Sequence, residues 1–176
     1  MGAILLEPFG EAHLEAAEVL VGDPDVQRFT RIPVPLPADF TRSWLRSYEE
    51  GRKEGTREGF AIVDADDGSF LGLAVIPRID RTTLTAELGY VVVPSARGRG
   101  VGTQALARLT EWAFAELGAL RLELLISTDN DASRQVAARC GYICEGVLRS
   151  LYFKQGLRED TEIWSRLPTD PEPAES

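Results

Sequence analysis

Apolar positions along the chain change period twice, and the changes outline its elements. Ala3 to Glu7 is a short apolar run closed by Pro8 and Gly10, which predicts an opening strand. From Glu11 onward Leu14, Ala17, Leu20 and Val21 recur at helical spacing until Gly22, predicting a first helix. Asp23 to Pro37 holds four prolines and reads as an irregular loop with one helical turn at Pro24 to Phe29. A second amphipathic helix follows, with Asp39 placed to cap it. Phe40, Trp44, Leu45 and Tyr48 lie on one side, and Arg42, Arg46, Glu49 and Glu50 on the other. Aromatics at this spacing are more often core than cleft lining. The charged stretch Gly51 to Gly59 reads as an exposed linker.

From Phe60 the period becomes that of strands. Phe60 to Val63 and Phe70 to Ile76 flank an Asp67-Gly68 hairpin step, Pro77 to Thr83 makes another turn, and Thr85 to Val93 completes an antiparallel meander. Beyond a glycine-rich loop, Val101, Ala105, Leu109, Trp112 and Ala113 mark one face of a helix that Gly118 ends. Leu120 to Ser127 is a strand, and a strand–helix–strand crossover of this length makes its two strands parallel. A helix to about Cys140, stopped by Gly141, leads to a last hairpin, Tyr142 to Leu148 and Arg158 to Leu167, turning near Lys154-Gln155-Gly156. The order β-α-(α)-β-β-β-α-β-α-β-β predicts an α/β (α+β) mixed sheet with helices against its faces. A chain of 176 residues, 44% hydrophobic, needs only one core, so a single domain is expected over 1–167. The acidic, proline-rich tail 168–176 is expected to be disordered.

A net charge of -9 argues against general binding to nucleic-acid backbones and favours cationic partners such as amines. Cys140 and Cys144 are the only cysteines; they form neither a disulfide framework nor a zinc site and read as reduced structural residues, so no metal is expected. No leader-like segment follows Met1 and no apolar run reaches membrane-spanning length, so the default expectation is a cytoplasmic protein without membrane partners. His13, the only histidine, lies one residue off the first helix's apolar stripe. It is predicted to be a solvated surface residue, which removes a histidine-based triad.

The chemistry concentrates in Pro94-Ser95-Ala96-Arg97-Gly98-Arg99-Gly100-Val101-Gly102-Thr103, between a strand and a helix. Glycines at alternate positions permit a sharp turn and bare the amides. The helix that follows presents unpaired N–H groups and the positive end of its dipole, a site suited to phosphate, with Arg97 and Arg99 adding charge. The spacing is neither that of a dinucleotide fingerprint nor that of a nucleotide-hydrolase phosphate loop. It is R-x-x-G-x-G, from Arg97 through Gly100 to Gly102.

That pattern resembles the pyrophosphate loop of the GNAT superfamily of acyl-CoA-dependent N-acyltransferases. The resemblance covers nearly the whole chain and is strongest from Glu87 to Leu167, where A-E-L-G-Y, A-R-G-R-G-V-G-T, N-D-A-S-R and C-G-Y occur in sequence. Asn130 with Ser133, Gly141-Tyr142, and Glu145-Gly146-Val147-Leu148-Arg149 resemble the RimJ/RimL branch of ribosomal-protein N-terminal acetyltransferases. The resemblance implies the GNAT fold and an acetyl-CoA, or other acyl-CoA, co-substrate. Its pantetheine arm would lie along Val91, Val92 and Val93, its pyrophosphate on Gly98 to Thr103, and its arm would bond to Asn130. Read on their own, Val91 to Val93 are equally strand core and Asn130 equally a helix cap.

The implied reaction is direct attack of a primary amine, of a protein N-terminus or a small molecule, on the thioester carbonyl. Amines are mostly protonated near neutrality, so a base must remove a proton. Glu87 is the candidate, sharing one strand face with Gly89 and Val91. Many members carry a tyrosine as acid where this chain has Ala137. Ser133 takes the place of the serine proposed as acid in the RimJ/RimL branch, and Tyr152 stands where some of its members have a glutamate. Tyr152 then serves in catalysis, or proton transfer runs through Glu87 and water and Tyr152 is structural. A homodimer is compatible with the resemblance. Two other classes stay open: a non-catalytic acyl-CoA-binding regulatory module, and an interaction protein presenting Trp44, Tyr48 and the proline-rich loop.

Overall fold

The computed structural model describes residues 2–173. The chain enters through strand β1 (Ile4–Pro8) and helices α1 (Leu14–Val21), α2 (Pro24–Phe29) and α3 (Phe40–Glu54). Strands β2 (Glu58–Asp64), β3 (Phe70–Asp80) and β4 (Thr85–Val92) follow, then α4 (Val101–Leu117), β5 (Arg121–Ser127), α5 (Asp131–Arg139), β6 (Ile143–Lys154) and β7 (Leu157–Arg166). The strands form one seven-stranded sheet in the order β1-β2-β3-β4-β5-β7-β6. Neighbours are antiparallel except β4 and β5, whose crossover helix α4 makes them parallel.

Alternation along the central strands feeds two cores. Phe60 and Ile62 of β2 join Ala74, Leu88, Leu106 and Leu109 beneath α4, while Ala61 and Val63 join Leu14, Leu20, Leu45 and Leu73 beneath α1 and α3. The predicted stripe of α1 is buried throughout, and α4 ends at the expected glycine, with the Gly118 N–H donating to the Ala113 carbonyl. The aromatic stripe of α3 is core. Trp44 meets Phe9 and Tyr48 edge-on, Tyr48 is buried, and burial pushes its phenol up to about 12, which removes it from any partner surface. Asp39 stands at the N-cap position, but its side chain makes no capping bond.

Several expectations are corrected. Gly51 to Gly59 is not a linker: α3 runs on to Glu54, and the Arg52 Nε donates to Glu58 at the start of β2 at 2.6 Å. A charged last helical turn resembles a loop in composition, but its cation sits where a helix C-terminus favours one. Pro77 does not end its strand, because the β3–β4 register shifts between Val75 and Arg78 and the bulge absorbs it. The last hairpin is longer than its apolar alternation, since β6 is the outer strand and mostly exposed.

His13 is no solvated residue either. It lies in a short 3₁₀ turn, which breaks the helical period, and its side chain is only 14% exposed between the rings of Phe9 and Phe70. Of the expected disordered tail, residues 168–173 are described. Leu167 and Asp170 bond each other, and Arg166 pairs with Glu172 at 2.9 Å. Residues 174–176 lie outside the described residues. No helix among the described residues is long and apolar enough to cross a membrane.

Candidate active site

The site begins as a split in the sheet. β4 and β5 pair at Thr85–Arg121, Ala86–Leu122 and Glu87–Glu123, and among the described residues no further. Beyond Glu87, β4 continues with β3 and β5 continues with β7, so two strand edges face each other across a wedge. Strand edges carry donors and acceptors that must find water or a ligand. At the wide end stands the glycine loop. Gly98 and Gly100 take φ of 72° and 77°, the left-handed region that glycine adopts without steric cost. Gln104 N–H donates to the Gly100 carbonyl at 3.1 Å, so the N–H groups of Val101, Gly102 and Thr103 ahead of it form the open first turn of α4.

Gly102 has a separate reason to be small. A Cβ there would stand 3.0 Å from Cε2 of Tyr90, a tight contact that the ring would have to yield to by a few tenths of an ångström. Val101 is buried in the core, Thr103 is half-buried, and Gly98 and Arg99 are exposed on the loop. The Thr103 carbonyl lies 3.5 Å from Sγ of Cys140, whose thiol burial pushes up to about 11.

Arg97 does not extend toward the loop amides. Its Nε donates to the Val92 carbonyl at 3.1 Å, one terminal nitrogen to Asp23 at 2.6 Å and the other to Asp25 at 3.0 Å. Asp23 also caps α2, accepting from the Val26 N–H at 3.0 Å. Burial pushes the Asp23 carboxyl upward, but the bonds from Arg97 and the Val26 amide outweigh it and hold it below its ordinary value. Val93 donates its N–H to the Leu71 carbonyl on β3, and Val91 to Val93 are half-buried at the end of β4.

At the narrow end Glu87 is 5% exposed. Arg31, from the loop after α2, contacts one of its oxygens, and Arg78 lies 3.7 Å from the other. Arg78 also pairs with Glu123, and Arg121 joins Glu123 to Glu145. The guanidinium of Arg31 stands 5.2 Å over the ring of Tyr152, so a single arginine links the two predicted residues Glu87 and Tyr152. Lys154, two residues on, binds the carbonyls of Gln27 and Thr30 at the end of α2, the latter at 2.7 Å.

Ser133 lies on the other face of β4. Its Oγ accepts from the Tyr90 hydroxyl at 3.3 Å, and its N–H donates to the Asn130 side chain at 3.1 Å. Asn130 is thus the N-cap of α5. Burial pushes the Tyr90 phenol up to about 12, so it stays a neutral donor at ordinary pH. Leu88, Tyr90 and Val92 pack toward α4, whereas Val91 packs toward α1, which puts Glu87 and Ser133 on opposite faces of the sheet. Ala137, at the position of the family tyrosine, is fully buried and offers no acid. Sequence reasoning missed Arg31 and Tyr90. Tyr90 was legible as the alternate neighbour of Leu88 in the A-E-L-G-Y strand; Arg31, in a proline-rich loop, left no periodic signal.

Residues 3–143 match the family described as Acetyltransferase (GNAT) domain. The chain belongs to that family. The ribosomal-protein-serine acetyltransferase of Escherichia coli (strain K12) is 33% identical over 128 residues, covering 72% of this chain and 70% of that protein. YoaA of Bacillus subtilis (strain 168), an uncharacterized N-acetyltransferase, is 29% identical over 118 residues, 67% of this chain. The matched part of this chain spans 64% of the length of YoaA, and 64% of that of a second B. subtilis relative, YdaF. Among solved structures, RimL, a ribosomal L7/L12 alpha-N-protein acetyltransferase in complex with coenzyme A, superposes with a TM-score of 0.85 over 94% of both chains at 22% identity. The fold is therefore the GNAT fold, and the relatives support the RimJ/RimL-type branch within it.

Proposed function

We propose that the protein transfers an acetyl group from acetyl-CoA to a primary amine, and that its acceptor is the α-amine of a protein N-terminus. The observation that carries this reading is the wedge between β4 and β5, with a carboxylate on one face of the sheet, a hydroxyl pair on the other and an open helix N-terminus at its mouth. Acetyl-CoA supplies the activated thioester. The residues fit it: the free edge of β4 offers peptide groups to an extended amide-bearing arm, and the first turn of α4 offers N–H groups to phosphates.

Glu87 accepts the proton that the attacking amine must lose, directly or through water. As the N–C bond forms and the C–S bond breaks, the Ser133 hydroxyl donates to the departing sulfur. The Tyr90 O–H, bonded to Ser133 Oγ, leaves that hydroxyl's own proton free to point at the sulfur. Tyr152 and Arg31 wall the acceptor end. The relative named ribosomal-protein-serine acetyltransferase, 33% identical over 72% of this chain, supports a peptide N-terminus over a polyamine.

The test is thiol release from acetyl-CoA with a serine-initiated peptide, the same peptide blocked at its α-amine, and spermidine. Turnover on the free peptide alone is expected, with the product acetylated at the α-amine. Acetyl-CoA binding without turnover on either amine would replace the reading with a regulatory binding module.

A further inference from the structure

We propose that Arg97 is a positioning residue that clasps α2 over the acceptor end, and that its guanidinium is committed to this clasp rather than to the phosphates of the acyl donor. The inference rests on the acetyl-transfer reading for the names of the donor and of the acceptor end. Of the six residues of α2 only Val26 is buried, so the helix is held largely by polar contacts, among them the Gln27 side chain on the Val21 carbonyl. Charged groups fix both of its ends.

At the N-terminal end all three directions of the Arg97 fork are used: Nε on the Val92 carbonyl, the terminal nitrogens on Asp23 and Asp25. A planar guanidinium makes such a three-way junction and a lysine does not. At the C-terminal end Lys154 caps Gln27 and Thr30. Arg31, just beyond, reaches Glu87 and Tyr152. A shift of α2 at the Arg97 end therefore moves Arg31 against Glu87. Arg97 opens the R-x-x-G-x-G run, so its backbone belongs to the donor loop while its side chain serves the acceptor wall.

The experiment compares wild type, Arg97→Ala, Arg97→Lys and the double variant Asp23→Asn/Asp25→Asn. Asparagine keeps the cap on α2 while removing the ion pairs. Three readouts are taken: hydrogen exchange of the amides of Gln27 to Arg31, acetyl-CoA affinity by calorimetry, and KM against kcat for the serine-initiated peptide. The alanine and asparagine variants are expected to exchange these amides about tenfold faster, to keep acetyl-CoA affinity within about threefold, and to raise the peptide KM more than they lower kcat. The lysine variant recovers part of the protection. Unchanged exchange in either variant, or a loss of acetyl-CoA affinity beyond about tenfold in Arg97→Ala alone, overturns the proposal. Failure of the wild type to bind acetyl-CoA or to acetylate the peptide would count against the acetyl-transfer reading instead, and the exchange arm would still decide the clasp.

Discussion

Glu87 and Ser133 owe their placement to different things. Glu87 is held by strand alternation, which turns it with Val91 away from α4, and its buried carboxylate is met by Arg31 and Arg78. Ser133 is held by a cap, because Asn130 starts α5 and fixes where the third residue of its first turn points. If Glu87 is the base, Glu87→Gln lowers kcat by about a hundredfold or more and leaves acetyl-CoA affinity unchanged. If Tyr90 only orients Ser133, Tyr90→Phe removes one neutral hydrogen bond, about 1 kcal/mol, and lowers kcat roughly fivefold. Single-turnover rates of the two variants check both figures. An equal loss in each would assign Tyr90 a direct part in proton transfer.

At the scale of elements, the helices and central strands were legible because their apolar periods are strict: α4 begins and ends where Val101 and Gly118 place it. The failures share one cause. The last turn of α3 and most of β6 are polar or exposed, and the far end of β3 lies beyond a proline and a bulge, so no unbroken alternation marks them. The outer strand β6 is instead tied inward by charge. Arg121 of β5 reaches across β7 to Glu145 at 2.6 Å, and Ser165 donates to the same carboxylate at 2.6 Å. Hydrogen bonds from Arg121, then from Ser165, depress the Glu145 carboxyl to about 2. An unfolded glutamate titrates near roughly 4.3, so the tie is complete above that value and is lost as pH falls toward about 2. Urea unfolding at pH 7 and pH 3 is expected to show a smaller acid loss of stability in Glu145→Gln than in wild type.

For the molecule as a whole, the sheet falls into two halves. One half, β1 to β4, carries α1, α2 and α3; the other, β5 to β7, carries the hairpin bearing Tyr152 and Lys154, which meet Arg31 and the end of α2. The wedge is where the halves part. The sequence resemblance singled out the loop and Glu87, which the fold sets at the two ends of the wedge, because short motifs are contiguous in the chain. It did not locate the contacts that hold α2 against β4 and the loop, Arg97 with Asp23 and Arg31 with Glu87, which join residues 74 and 56 positions apart. Calorimetric titration of the folded protein with acetyl-CoA decides whether the wedge and glycine loop together hold an acyl-CoA. Saturable binding at one site per chain, weakened by free coenzyme A as competitor, is the predicted result; absence of binding to acetyl-CoA and to longer acyl-CoAs would contradict it.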